Sequence, residues 1–331
     1  MKYALIELRG VIGEDIHASG LREALDGIRS RKIENVLFDI DSVGGHVSEM
    51  HEILRVLDEH QSALRYITRV RRALSAAVPI AFTCDALYFE TSGTIGAAVP
   101  YATTGTGSIE VDAKLASAFG AEIASRGAPH GIHAALCEAM ADMPREVWVV
   151  RGQDHNVDVY SQQPTGLAGD LAEQIDGPRT VLTLSASMAV EFGIGSMWES
   201  RDGFDDSWTD AGAFARRAMD KAAKDYREQQ SHIADVIAWA SKLPELAAEA
   251  QRLESRIAFV ALSQSERPER MRRYDAAIDA WTTVQKGAAQ IDAKVRKVRG
   301  HQFDQALLAD VHRIASQADA AVARLRQGRL R

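Results

Sequence analysis

The chain has little cysteine, proline or aromatic residue: 2 cysteines, 8 prolines and 6% aromatics in 331 residues. Cys84 and Cys137 lie in apolar stretches (AFTCDAL and AALCEAM). Two such cysteines make neither a disulfide framework nor a zinc site, and they read as small buried hydrophobes. No Asn-x-Ser/Thr sequon occurs. Long apolar runs are missing too. The longest uncharged stretch, Thr91 to Ile109, is 19 residues long but rich in Gly and Thr and interrupted by Pro100, so it is no membrane helix. The opening MKYALIELRG holds a strand-like run of only six residues between Lys2 and Arg9, too short for a secretory signal. A cytoplasmic protein without a transmembrane segment is expected, with membrane association left to a partner. There is no excess of positive charge: the net is −7, and no nucleic-acid partner is expected.

Several chemical motifs are also missing. There is no P-loop, no G-x-S-x-G and no H-E-x-x-H. Gly105-Thr-Gly107 lacks the third glycine of a dinucleotide fingerprint, and His130-x-x-His133 reads as a solvated helix start. No cofactor and no metal are expected.

What is present divides in two. Residues 1–204 carry 17 Lys+Arg against 28 Asp+Glu and 20 of the 24 glycines; residues 205–331 carry 22 against 18. In the first part, residues 3–8, 34–40 and 64–68 read as buried strands. Residues 14–29 read as a helix with Leu21, Leu25 and Ile28 on one face. A second helix follows Asp41-Ser-Val-Gly-Gly45, with Val47, Met50, Ile53, Leu54 and Leu57 as its apolar face. This alternation predicts helical crossovers onto a parallel sheet. A short helix at Ser75–Phe82, a strand at 86–89 and a Gly/Thr-rich loop at 93–110 follow. Helices are expected at 112–125 and 130–141, short strands near 146–150 and 157–160, and a strand-to-helix passage at 179–192.

The second part shows sustained three-four spacing. One series runs Tyr274, Ala277, Trp281, Val284, Ala288, Ile291, Val295 and Val298. Others are Leu246, Ala250, Leu253, Ile257 and Val260, and Leu307, Val311, Ile314, Ala318, Ala321 and Leu325. Such seams predict an all-α, coiled-coil-like bundle. With breaks at Pro244, Pro268 and Gly300, four helical segments are expected. The predicted domains are residues 1–204 and 205–331.

Three features of the first part carry chemistry. The Gly44–Gly45 pair after a buried strand can present backbone N–H groups to an oxyanion, or be a plain turn. Ser75 opens an apolar helix, where unpaired N–H groups favour developing negative charge; it can equally be an N-cap. Lys114 is flanked by Val111, Leu115, Ala118 and Phe119. A lysine on such a face can lose hydration and act as a base, or can snorkel to solvent.

Three segments occur in order: DSVGG at residues 41–45, SAA at 75–77, and IAFTCDALYFETSGTIGAAVP at 80–100. Together they resemble the serine peptidases of the ClpP/crotonase fold, above all the signal peptide peptidase A group and the NfeD-type membrane-associated proteases. The resemblance continues through Gly131–Asp142 and Val181–Gly193, covering roughly residues 3–200. It implies an α/β core of stacked ββα units. It also implies a Ser–Lys dyad in which Ser75 is the nucleophile and Lys114, 39 residues later, the general base. Gly44, Gly45 and Ala76 would form the oxyanion hole. The related ClpP group uses a histidine after the serine; none occurs between His60 and His130. Val43 stands where the family has proline, and Ala77 where many members have glycine. The implied activity is hydrolysis of a polypeptide substrate through an acyl-enzyme, by a homo-oligomer. Two other readings stay open. One is a degenerate core that presents the helical part to a partner. The other is an acyl-CoA enzyme of the same fold, although no basic cluster for a nucleotide phosphate is evident.

Overall fold

A computed structural model describes residues 3–100, 102–103, 109–110, 113–142, 145–152, 156–165, 172–199, 210–257, 267–298 and 301–330. The chain forms two compact units, Met1–Lys224 and Asp225–Arg331.

The first unit is built on a six-stranded sheet. Strands β1 (Tyr3–Ile12), β2 (Asn35–Gly45), β3 (Arg65–Leu74) and β4 (Ala86–Gly96) are parallel neighbours in that order. They are joined by helices α1 (Ala18–Ser30), α2 (Val47–His60) and α3 (Ala77–Phe82). The strands are apolar on both sides. Ala4, Ile6, Val36 and Phe38 enter the main core, while Tyr3, Leu5, Leu37 and Ile67 form a smaller cluster on the other face. The helices bury the stripes predicted for them: Leu21, Leu25 and Ile28 in α1, and Met50, Ile53, Leu54 and Leu57 in α2. Val47 departs from its stripe. It sits in the first turn of α2 and is 36% exposed.

Beyond β4, Ala102–Thr103 (β5) pairs with Ile109–Glu110 (β6). Helices α4 (Ala113–Gly127) and α5 (Ala134–Ala141) follow. A three-stranded antiparallel sheet comprises β7 (Val147–Arg151), β8 (Val157–Tyr160) and β9 (Ala172–Asp176). Strand β10 (Thr183–Ser185) then pairs antiparallel with β4, leads into α6 (Ala186–Glu191), and β11 (Ser196–Met197) returns parallel to β4. The loop predicted from residue 93 begins later, because Thr94, Ile95 and Gly96 pair with both β3 and β10.

The parallel strands slip register near their ends, β2–β3 and β3–β4 at one level and β1–β2 about two residues further along β2. Gly10 pairs with Ser42 but Val11 with Gly44, so Val43 is an extra residue of β2. Ile40 pairs with Val70 but Asp41 with Arg72, so Arg71 is extra in β3; next to it, β4 skips from Phe89 to Thr94. Bulges bend a strand and re-aim its side chains. Here they lift the last residues of β2, β3 and β4 into a separate rim, on which the candidate site stands.

The long helix α7 (Asp210–Ser255) begins in the first unit. The ring of Phe214 lies where a side chain on Gly27 would stand, and the Ala218 carbonyl and Ala222 close on Gly20. The Arg31 guanidinium stacks 4.4 Å from the Phe214 ring centre, and Arg216 pairs with Glu7 at 2.7 Å. These contacts carry the first unit to Lys224.

The second unit contains the rest of α7, α8 (Arg267–Val295) and α9 (Gln305–Leu330). Its core is made of the seams read from spacing: Ala250 from α7; Ala277, Trp281, Val284, Ala288 and Ile291 from α8; Val311, Ile314, Ala318, Ala321 and Leu325 from α9. Val260 lies outside the described residues. Where four helical segments were expected, the described residues of this part form three helices, because Pro244 does not break α7. Pro244 removes one backbone donor and crowds the preceding turn. Burial of Val236, Ala240 and Leu243 before it, and of Ala247 and Ala250 after it, holds the helix through that point. Among the described residues, no helix is long and apolar enough to cross a membrane.

Candidate active site

The site grows from the rim above the bulges. Ser42, the last paired residue before the extra Val43, turns its side chain inward and is 1% exposed. Its hydroxyl donates to the Gly10 carbonyl at 2.7 Å and accepts the Gly44 N–H at 3.1 Å. Val43 is turned outward and is 47% exposed. Gly44 has φ +93°. A Cβ there would lie 2.5 Å from Ser75 Cβ, 2.8 Å from the Leu74 carbonyl oxygen and 3.0 Å from the Ala76 nitrogen. Gly45 has φ +150°, and its Cβ would lie 2.1 Å from the Ile12 carbonyl oxygen. Only glycine fits at either place. The Ile12 carbonyl accepts the His46 N–H at 2.9 Å. In a parallel ladder this pattern brackets Gly45, so its own N–H faces away from β1, to the β3 side where Ser75 stands.

Ser75 sits at the apex of a sharp turn from β3 into α3. Its φ is +54°, the left-handed region, which costs a non-glycine residue about 1–2 kcal/mol. The turn is held on both sides. The Ser75 N–H donates to the Gly96 carbonyl at 3.0 Å, and its carbonyl accepts the Val78 N–H at 3.0 Å. Ala97, beside the Gly96 anchor, is a second non-glycine residue at positive φ, +48°. Strained residues locked by their neighbours are found at functional sites. This is the shape of a nucleophile elbow, although the usual flanking glycines are missing from the sequence. Ala73 and Ala77, two residues to either side, take their place, and both are fully buried. The legible signal was a small residue at both places, not glycine.

Ser75 therefore meets Gly44 and Ala76 directly. Lys114 belongs to the first turn of α4. Two contacts fix the direction of that helix against α2: His51 Nε2 lies 3.0 Å from Glu122, and Arg126 donates to both oxygens of Asp58 at 2.8 and 2.9 Å. Both helices advance in the same sense between these contacts. The first turn of α4 thus lies toward the end of α2 that follows the glycine pair. Phe119 and Ile123 are buried, but Lys114 is exposed and Leu115 is 53% exposed. The dehydration expected around Lys114 is not supplied by the described residues. Val111 and residues 101 and 104–108 of the loop lie outside them.

One layer below, Asp39 is 1% exposed and accepts from Arg69 at 3.0 Å, Arg71 at 3.1 Å and Arg9 at 3.3 Å. Burial pushes its carboxyl up, but the Arg69 and Arg71 guanidiniums hold it below the usual carboxylate value. Arg71 is the bulged residue of β3, so this network also fixes the step in the sheet. Arg72 pairs with Asp41 at 2.8 Å just before the glycine turn.

The remaining candidates have structural work. His130 Nε2 meets the Phe82 carbonyl at 3.0 Å, and His133 caps α5 by accepting the Ala135 N–H. Burial pushes the Cys84 and Cys137 thiols up to about 12, so both stay protonated and unreactive. Among the described residues, no group of three His, Cys, Asp or Glu side chains is placed to hold a metal ion.

No family model matches the sequence, and no curated protein matches it. Solved structures do. One is a serine-to-alanine mutant of the 1510-N membrane-bound stomatin-specific protease, 17% identical, covering 60% of this chain and 81% of that one, with a TM-score of 0.43. A lysine-to-alanine mutant of the same protease, in complex with a substrate peptide, is also 17% identical, covering 60% of this chain and 76% of that one at 0.43. ClpP1 from Listeria monocytogenes is 16% identical, covering 61% of this chain and 94% of that one at 0.39.

Proposed function

We propose that this chain is a serine endopeptidase that cleaves polypeptides through an acyl-enzyme on Ser75, with Lys114 as general base. The observation that carries the reading is the Ser75 turn: a strained, doubly anchored serine pressed against Gly44, with the Ala76 nitrogen close by. Neutral Lys114 takes the proton from Ser75 Oγ as the oxygen attacks the peptide carbonyl carbon. The carbonyl oxygen becomes an oxyanion. Of the three donors expected for it, Gly44 already gives its N–H to Ser42, so Gly45 and Ala76 take this role. Lys114 then returns the proton to the leaving amine, and water releases the acyl group. Each oxyanion donor lowers the barrier by about 3 kcal/mol.

Val43, Val47 and Leu115 are exposed apolar side chains on the elements around this turn. They suit an apolar stretch of an unfolded substrate or a second copy of the chain. Either would exclude water from the site. A homo-oligomer is part of the proposal. The exposure of Lys114 favours a second reading, an inert core that serves as a scaffold and presents its helical part to a partner. Hydrolysis of an unfolded protein by wild type, Ser75→Ala and Lys114→Ala separates the two. The peptidase reading expects loss in both variants; wild-type rates in either would overturn that residue's role.

A further inference from the structure

We propose that Ser42 is a positioning residue for the oxyanion hole: its hydroxyl bridges the bulge at Val43 and sets the Gly44–Gly45 turn against Ser75. This rests on the peptidase reading and adds a residue to which that reading gives no role. A bulge breaks the ladder where its extra residue enters and leaves the local backbone without regular partners. Here the break falls between the pairs Gly10–Ser42 and Val11–Gly44. The Ser42 side chain spans it, donating to the Gly10 carbonyl on one strand and accepting the Gly44 N–H on its own. Both capacities of the hydroxyl are used, at 2.7 and 3.1 Å, in a fully buried position.

The consequence for chemistry is directional. By taking the Gly44 N–H, Ser42 turns that donor away from any ligand on Ser75 and orients the next peptide plane. Gly45 is then the residue whose N–H faces the β3 side. Gly44 also touches Ser75 and closes on the Ala76 nitrogen, so a shift of the turn would disturb both proposed donors at once. Misplacement by about 1 Å at such a site costs up to roughly a hundredfold in rate. With Val43 in the bulge, φ there is not locked by a ring, and the hydroxyl clamp restrains the turn together with the ladder bond from the His46 N–H to the Ile12 carbonyl.

The test compares wild type with Ser42→Ala, Ser42→Thr and Ser42→Cys. Three quantities are measured: kcat and KM on an unfolded protein substrate, the rate at which a peptidyl phosphonate labels Ser75, and Tm. Ser42→Ala is expected to lower kcat and the labelling rate by about ten- to a hundredfold with KM little changed. Ser42→Thr keeps the hydroxyl and is expected to restore most of the rate. Ser42→Cys leaves no cavity but weakens both bonds, so it gives an intermediate loss and covers the case in which the alanine variant does not fold. If Ser42→Ala or Ser42→Cys loses Tm yet labels and turns over like wild type, Ser42 is only a fold clamp and the proposal fails. An inert wild type would instead overturn the peptidase reading, and the positioning role with it.

Discussion

The two units of this chain use glycine and burial in opposite ways. Among the described residues, every glycine with positive φ and all three such non-glycine residues, Lys32, Ser75 and Ala97, lie in the first unit. There the backbone is bent to set groups against one another, and the bends cluster where Ser75 meets the glycine turn. In the helical unit, Gly287 serves close packing instead, with Leu243 and Trp239 against it, and no unusual backbone. One unit concentrates strain at a few residues; the other repeats a packing rule along three helices. Chemistry is to be sought in the unit whose backbone deviates from regularity and is anchored while doing so.

The largest expected effect separates these two uses of glycine. Gly44→Ala and Gly45→Ala put a Cβ into backbone or into Ser75 at positive φ, and should drop peptide hydrolysis at least about a hundredfold. Gly287→Ala should leave the rate unchanged and move stability by no more than about 1 kcal/mol. Equal effects would erase the distinction. Next in size, Trp281→Ala should remove about 3–5 kcal/mol from the helical unit in a thermal melt while Ser75 labelling persists. Loss of labelling in a folded first unit would make the helices part of the catalytic apparatus.

Pro244→Ala should then stabilise the helical unit, by up to about 3 kcal/mol, because the exposed proline withholds one backbone donor inside the continuous α7. A fall in Tm would mean that the proline shapes a bend the core requires. The smallest effect concerns acid. Asp39 is held below its unfolded value by Arg69 and Arg71, so its ionised form favours the fold. That contribution is present above about pH 4 and is lost as pH falls through the folded value. Asp39→Asn should be less stable than wild type at pH 7, and the gap should narrow below about pH 4.

Much of the architecture was legible in period and punctuation. The buried strands, the amphipathic helices and the three-four seams each repeat along one segment, and a repeat can be read locally. The bulges cannot, because a one-residue slip is defined by two strands together. Nothing in D-S-V-G-G marks Val43 as the extra residue or Ser42 as the bridge across it. Pro244 misled because its local cost is outweighed by a core drawn from other helices. Ser75 is legible as a candidate from its place at the start of an apolar helix, whereas its strain is not. The apolar neighbours of Lys114 suggested burial, but Leu115 points to solvent.

The measurement that bears most directly on the account is the intact mass of the full chain after reaction with a peptidyl phosphonate. A Ser–Lys peptidase gives one adduct, mapped to Ser75, absent in Ser75→Ala and much slower in Lys114→Ala. An unmodified wild-type chain, or an adduct that survives in Ser75→Ala, would contradict it.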